Sequence, residues 1–587
     1  MMLLTNHMGY DTDGIKKAVF QGEKGVTAAA FEVVHYRTGE TVYTGTAKEC
    51  GEVASWKTGY YYTLAFDDVK DEGTYFIRLS TSKETVSSFP FEIKDNVLGL
   101  RTLSAVGYYF KAQRDSGEWL YDDRKLPFRG DREGVVDAHG GWYDATGDYG
   151  IHLSHLSHAT YFNPQQAAFS ALVFFRVHDL LEDSKNEQYS MVKRRMLDEG
   201  FFGADFIMRL RAPSGTFFRS INRADAFKAV AGTRGIGFEY HDSSSQFGTA
   251  TTAGKEVISD ANYECSFRSG GGNAIAALAA AARHFYTGTD YTQAEYIMAA
   301  KAAYEYLEAN NEQYTNNGKW NVVDEYCALD ALVELYTTTR EYDYIRKARD
   351  MSARLLSKLR AVDDEKAYLA VEDGSDRPFF SAADSGQPVV SLLNYAGIEP
   401  QAELAAGAVA AAKKLMQYEL WVTNEVSNPF GYARQLVQDG NGTRRTAFFF
   451  PHTSEAQPWW QGDNARIASL AAAARLMADY TDCPEFKKQL CAYADDQINW
   501  ILGLNPFDSC MIEGYGRNNI QYFFNNRYDF INCPGGICNG ITSALDDENG
   551  IEFVLQPNGR ISDNWRWAEQ WIPHASWYLY AVAMKKK

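Results

Sequence analysis

The chain has 587 residues, too many for one compact core unless a single large helical domain takes most of them. Its 45% hydrophobic and 23% charged residues are those of a soluble globular protein, and no apolar run reaches membrane-spanning length. With 58 basic and 76 acidic residues the net charge is −18, which disfavours a polyanionic partner such as nucleic acid and leaves neutral or cationic ligands.

The opening MMLLTNHMGYDTDG lacks the basic region and apolar stretch of a secretory signal, so with a native Met1 the expected location is the cytoplasm. From residue 1 to about 95 the pattern is that of strands. TYFIRLS puts Tyr75, Ile77 and Leu79 on one face, and RTGE and DDVKDEG supply turns, which predicts a small β-sandwich. Beyond Leu98 the apolar period becomes helical. Stretches such as QQAAFSALVFFRVHDLL, NAIAALAAAARHF, EYCALDALVELY, AGAVAAAKKLMQYEL and NARIASLAAAARLMADY belong to about eleven candidate helices. They form a bundle, a solenoid or a closed ring of hairpins, and the lack of a fixed-period repeat argues against the solenoid. Cys50, Cys265, Cys327, Cys483, Cys491, Cys510, Cys533 and Cys538 show no CxxC pair or zinc-site spacing and read as buried free thiols.

Residues 140–150 read GGWYDATGDYG and hold Asp144 and Asp148 among glycines that permit a tight turn. Trp142 and Tyr143 offer flat faces on which a sugar ring can stack. An ordinary Gly/Asp turn is the competing reading. Far along the chain, WRWAEQWIPHASWYLY carries a lone carboxylate, Glu569. Inverting cleavage of a glycosidic bond needs an acid for the leaving oxygen and an opposed base for water, about 6.5–9.5 Å apart. Asp144 or Asp148 supplies the base and Glu569 the acid, its pKa raised by Trp565, Trp567 and Trp571 nearby in sequence.

Several weaker signals lie between. His152, His155 and His158 recur every third residue, a spacing that would put two on one helical face as metal ligands, but they read better as hydrogen-bonding groups of a cleft. There is no EF-hand loop and no closed ligand set, so no metal and no cofactor are expected. Gly270, Gly271 and Gly272 read as a loop before a helix, since no Lys-Ser/Thr follows to make a phosphate cradle. Trp459 and Trp460 form either a sugar platform or a core pair. Two irregular insertions, 222–262 and 362–400, are expected to be walls or lids of a site.

Four ordered stretches together resemble the family 9 glycoside hydrolases, which include many cellulases. NHMGYDTDGIKKAVFQG is similar to the start of their immunoglobulin-like module, and GGWYDATGDYG to their GGWYDAGD signature. QINWILGLNP followed by EGYGRN, and AEQWIPHASWYLYAVA, are similar to their penultimate helix with its loop and to their C-terminal helix. The resemblance implies a multi-domain, mainly α protein: an immunoglobulin-like β-sandwich over 1–95, then an (α/α)6 barrel of twelve helices over 98–587. It also implies an inverting mechanism in a cleft at one end of the barrel. By motif position Asp148 falls on the base, Asp144 on the partner aspartate that helps hold the water, and Glu569 on the acid.

The departures carry information too. DAGD has become DATGD, with one extra residue, and the family's His-His-Arg element stands as FFNNRYDF, retaining Arg527 with Asn525 and Asn526 in place of the histidines. DATGD followed by SHLSH, DEYCALDALVELY and PHTSEAQPWWQGDNARIASLAAAA are similar to a branch containing exo-acting β-glucosaminidases. Such an enzyme needs a carboxylate about 3 Å from the substrate ammonium, and Asp144, Glu325 and Glu455 are the candidates. The expected activity is therefore an inverting exo-β-D-glucosaminidase on chitosan oligosaccharides, with an endo-β-1,4-glucanase as the alternative. A phosphorylase and a non-catalytic sugar-binding protein are more distant readings. The expected partner is an oligosaccharide contacted by Trp142, Tyr143, Trp459, Trp460, Asn525, Asn526, Arg527 and Trp565, with no nucleic acid or membrane, and oligomeric state is left open.

Overall fold

The computed structural model describes residues 1–585 apart from 54, 131, 156–162, 223–233, 238–259, 316, 453–460, 525–526 and 557–563. Nine strands come first: β1 (Met2–Leu4), β2 (Lys17–Gly22), β3 (Ala28–His35), β4 (Thr41–Thr46), β5 (Lys48–Glu52), β6 (Tyr60–Ala65), β7 (Gly73–Thr81), β8 (Thr85–Ser87) and β9 (Phe91–Ile93). One sheet runs β1-β2-β6-β5 and the other β4-β3-β7-β8 with β9 also on β7, all antiparallel. Tyr75, Ile77 and Leu79 do share a buried face of β7, where they meet Phe20, Leu64 and Phe91 between the two sheets.

Among the described residues twelve long helices follow: α1 (Val97–Gln113), α2 (Ala167–Asp183), α3 (Ser190–Arg209), α4 (Gly272–Ala281), α5 (Gln293–Asn310), α6 (Val322–Thr339), α7 (Tyr342–Ser357), α8 (Gln387–Ile398), α9 (Ala402–Asn424), α10 (Asn464–Asp479), α11 (Pro484–Ile501) and α12 (Ile572–Ala583). The even-numbered helices pack side to side in sequence order, and α12 closes the ring against α2. Each odd-numbered helix lies outside, so the fold is an (α/α)6 barrel behind an immunoglobulin-like sandwich. The sequences differ as the two layers require. Inner α4, GNAIAALAAA, is buried on every face, and its small residues let neighbouring helices approach closely. Outer α7 buries Tyr344, Ile345, Ala348, Met351, Ser352 and Leu355 and leaves the rest to water. Among the described residues no helix is long and apolar enough to cross a membrane.

Two expectations need correction here. The stretch 362–400 is not an irregular insertion throughout, because Gln387–Ile398 is an inner barrel helix. Pro388 starts it, and full burial of its apolar run removes the amphipathic period by which a helix is read. Cysteine burial is mixed as well: none of the eight cysteines forms a disulfide, but Cys483 is exposed while Cys265, Cys327, Cys510 and Cys538 are buried.

The sandwich is not a loose appendage. Leu4, Val19, Trp56 and Tyr61 of its first sheet and adjoining loop belong to the same continuous core as the barrel. The Trp56 ring lies 4.7 Å from Phe448 and 5.9 Å from Trp500, centroid to centroid. Polar links flank this wedge: Lys17 to Asp496 at 2.6 Å, Asn6 to Asn499 at 2.7 Å and Lys585 to Asp11 at 2.9 Å. Trp56→Ala should therefore cost about 3–5 kcal/mol. Calorimetry of the full chain should show a lowered thermal midpoint, and an unchanged one would mean that the sandwich docks without this ring.

Candidate active site

The candidate residues collect at the end of the barrel where the inner helices begin. The loop carrying Asp144 and Asp148 precedes α2, and Glu569 precedes α12. The N-termini of inner helices present unpaired N–H groups and positive dipole ends, a setting that favours carboxylates.

Backbone pairing brings the two motifs together. Ala145 pairs antiparallel with Trp571, Thr146 N donates to Gln570 O at 2.8 Å, and Ile572 N donates to Asp144 O at 3.2 Å. On the other side of the Glu569 segment, Cys538 pairs with Gln570 and Asn539 N donates to Glu569 O at 2.7 Å. The extra residue of DATGD is absorbed in a tight turn. Asp148 N donates to Ala145 O at 3.0 Å across Gly147, whose φ of +80° favours glycine. The Thr146 hydroxyl is tied to Gln570 Oε1 at 3.0 Å.

The two aspartates sit differently. Asp144 is buried, and its Oδ1 accepts from Trp571 Nε1 at 2.9 Å and from Gln166 Nε2. Asp148 is half-buried, and its Oδ1 accepts from Gly150 N at 2.9 Å. Burial raises the Tyr109 phenol well above its ordinary pKa, with further contributions from Cys533, Asp144 and Glu569, so both motifs act electrostatically on one hydroxyl.

Glu569 is half-buried, and its Oε2 faces Asn539 Nδ2 at 3.4 Å. Asn539 Nδ2 also donates to Trp565 O at 2.9 Å, while its Oδ1 meets His574 Nε2 at 2.9 Å. His574 Nδ1 accepts from Ala465 N, in the first turn of α10, at 2.7 Å. The imidazole is therefore neutral with its proton on Nε2, and burial lowers its pKa to about 3. Asp384, just before α8, accepts from Trp577 Nε1 and Gln165 N, each at 2.8 Å. Burial raises its pKa to about 7 against these bonds. Asn539, His574, Gln166, Gln570 and Asp384 were all missed by the sequence reading.

Several expected contact residues are elsewhere. Trp142 is fully buried among Phe110, Phe174 and Phe202, and its Nε1 donates to Glu199 at 3.0 Å, so it packs the core and stacks on no sugar. Tyr143 is buried too, its hydroxyl bonded to Asp115 at 3.0 Å and Ser116 N at 3.1 Å. Half-buried Trp119 and Tyr149, with ring centroids 4.1 Å apart, are the aromatics beside this loop. Glu325 is fully buried against Lys358 at 2.6 Å and Arg354 at 3.2 Å, because a carboxylate removed from water needs a cation. It is a strut between α6 and α7 and not an ammonium receptor.

Trp567 is buried in the core and Trp571 is committed to Asp144, while Trp565 is half-buried at the start of a short helix, Trp565–Ala568. Arg527 is largely exposed and pairs with Asp529 at 3.4 Å, in a segment whose Phe530 packs against Gly147. Asn525, Asn526, Glu455, Trp459, Trp460 and His158 lie outside the described residues. His152 is in a strand pairing with Ser220, so no helical face joins it to His155, whose ring meets Trp571 edge-on at 6.3 Å. Gly270 belongs to the turn of helix leading into α4, where a Cβ would lie 2.5 Å from that of Leu153.

The family model for glycosyl hydrolase family 9 matches residues 101–530, and that for the cellulase N-terminal ig-like domain matches residues 3–84. The chain is a family 9 glycosyl hydrolase. It is an inverting O-glycosyl hydrolase. No curated protein sequence matches this glycosyl hydrolase. Solved structures do. A metagenome-derived family 9 endoglucanase superposes with a TM-score of 0.65 at 16% identity, covering 99% of this chain and 98% of that one. A Bacteroides ovatus family 9 protein gives 0.64 at 18% identity with coverage of 99% and 98%. A single mutant of the Alicyclobacillus acidocaldarius endoglucanase gives 0.64 at 14% identity with 99% of each chain covered. At these identities the likeness speaks for the fold.

The His574 environment generates a pH prediction. Its folded pKa is below the unfolded value of about 6.5, so its stabilising contribution is complete above that pH and is lost as pH falls from 6.5 towards 3. Thermal midpoints measured from pH 7.5 to 5 should drop more steeply for the wild type than for His574→Gln; parallel curves would remove His574 from this role.

Proposed function

We propose that this family 9 enzyme is an endo-β-1,4-glucanase in which Asp148 is the general base, Asp144 helps to hold the attacking water and Glu569 is the general acid. The observation that carries this reading is the pairing of the Asp144–Asp148 turn with the Glu569 segment, which sets base and acid on one rigid unit. The aspartates divide the work in keeping with their settings. Asp144 is buried and held in one orientation by two N–H donors, whereas Asp148 is half-buried. Glu569 protonates the leaving oxygen as Asp148 takes the proton of the water attacking from the opposite face. Asn539, fixed by neutral His574, orients the Glu569 carboxyl.

A glucan is preferred to an amino-sugar chain for two reasons. Two of the relatives with the same fold are named endoglucanases. Of the carboxylates considered for an ammonium, Glu325 is consumed by Lys358, Asp144 has its Oδ1 already engaged by Trp571 and Gln166, and Glu455 lies outside the described residues. The two-domain division at 1–95 and 98–587 belongs to the same reading, with the sandwich as a structural partner.

Proton NMR of the enzyme with equal cellotetraose and fully deacetylated chitotetraose tests the assignment. Early α-anomeric cello-products are expected, while early α-glucosamine would overturn it in favour of the exo-glucosaminidase. Glu569→Gln should reduce kcat by about 10³-fold with little change in binding, since general acid catalysis acts on the transition state; unchanged turnover would exclude Glu569. Asn539→Ala should lower kcat by about 10-fold, with the acidic and basic limbs of the kcat/KM profile separating its effect on the acid from one on the base.

A further inference from the structure

At the opposite end of the barrel, where the inner helices finish, two histidines and an aspartate meet. His178 and Asp179 lie in the last turns of α2, and His284 follows the end of α4. Their ligand atoms all lie within 4.8 Å of one another, the one such cluster among the described residues. His178 Nδ1 and His284 Nε2 are each 3.3 Å from Asp179 Oδ1. Ligands bound at 2.0–2.1 Å around a tetrahedral ion are separated by about 3.3 Å, so these spacings suit joint ligation.

A second observation separates this from a plain hydrogen-bonded cluster. His284 Nε2 is buried and faces Asp179 Oδ1 at 3.3 Å, but less well aligned than His178 Nδ1, which is hydrogen-bonded to that same oxygen. The ring is held where it is by stacking on Phe175, with centroids 5.3 Å apart and planes 9° from parallel. The surroundings suit a cation. The last carbonyls of α2 contribute the negative end of a helix dipole. His178 Nε2 faces Glu182 Oε1 at 3.8 Å, the outer carboxylate that commonly orients a ligating imidazole. The nearby cations are shared with other carboxylates: Arg283 bonds Glu334 at 2.8 Å and also pairs with the other oxygen of Asp179 at 3.7 Å, leaving Oδ1 to the imidazoles, and Lys193 pairs with Glu182 at 3.4 Å. Asp179 is partly exposed, which gives an ion access and leaves room for water as a fourth ligand.

We propose that His178 Nδ1, His284 Nε2 and Asp179 Oδ1 form a binding site for a divalent transition-metal ion, Zn²⁺ by ligand type and geometry, that fastens α2 to the end of α4 away from the catalytic cleft. Two imidazoles and one carboxylate are a donor set of zinc chemistry. The sequence expectation of no metal missed it because the ligands come from separate hairpins and show no spacing motif.

The test uses full-length enzyme stripped with EDTA and titrated with ZnCl₂ by calorimetry, and with CoCl₂ by visible absorption. One equivalent should bind, Co²⁺ should show the d–d bands of tetrahedral coordination, and the thermal midpoint should rise by about 2 °C when the free ion is at a hundred times its Kd. His284→Gln and Asp179→Asn should each weaken binding by about 100-fold while helical circular dichroism stays unchanged. Asp179→Asn keeps the shape of the side chain and so remains informative where His284→Gln fails to fold. No binding, or binding that survives both substitutions, would overturn the site.

Discussion

The site depends on a short antiparallel pairing between residues 144–146 and 570–572. It joins segments 427 residues apart and fixes both the start of α2 and the start of α12. Gln570 is its hub, bonding Thr146 on one side and both polar groups of the Cys533 backbone on the other from a fully buried position. Buried amides of this kind cost stability unless every group is matched. The hub is therefore stable in one arrangement only, and the carboxylates inherit that precision.

The ring of inner helices makes a second demand. Between its alanine-rich walls, several buried polar side chains are linked in series. Asn273 donates to Gln165, Gln387 to Asp330, and Arg176 bridges Asp330 and Glu334 at 3.0 Å each. Glu334 then takes Arg283, beside the histidine pair at the far end. Charges removed from water are tolerated here because each has a partner of opposite sign. The axis thus forms a polar column from the end that carries Asp144 and Glu569 towards the opposite rim.

Much of this was legible in the sequence, and what was not has physical reasons. The strand face of Tyr75, Ile77 and Leu79 and the helical period of most inner and outer helices are local patterns. Asp144, Asp148 and Glu569 lie in short motifs whose glycines and tryptophans mark them out, and the fold brings these segments together. Trp142 was misread because proximity in sequence to a carboxylate says nothing about which side of the chain a ring takes; here it turns inward. Helix α8 was hidden because full burial erases periodicity. Asn539, His574 and Gln166 act through hydrogen bonds to distant segments, and no local spacing announces such a role.

The separation of the paired segments also bears on how the protein is made. At 5–20 residues per second, roughly 20–85 s pass between synthesis of Asp144 and synthesis of Trp571. Until α12 is made, the flank of α2, and late in the interval that of α10, lack the helix that covers them in the finished ring. The nascent chain is thus an open arc before it is a ring, and the segments carrying Asp144 and Glu569 meet only when the arc closes.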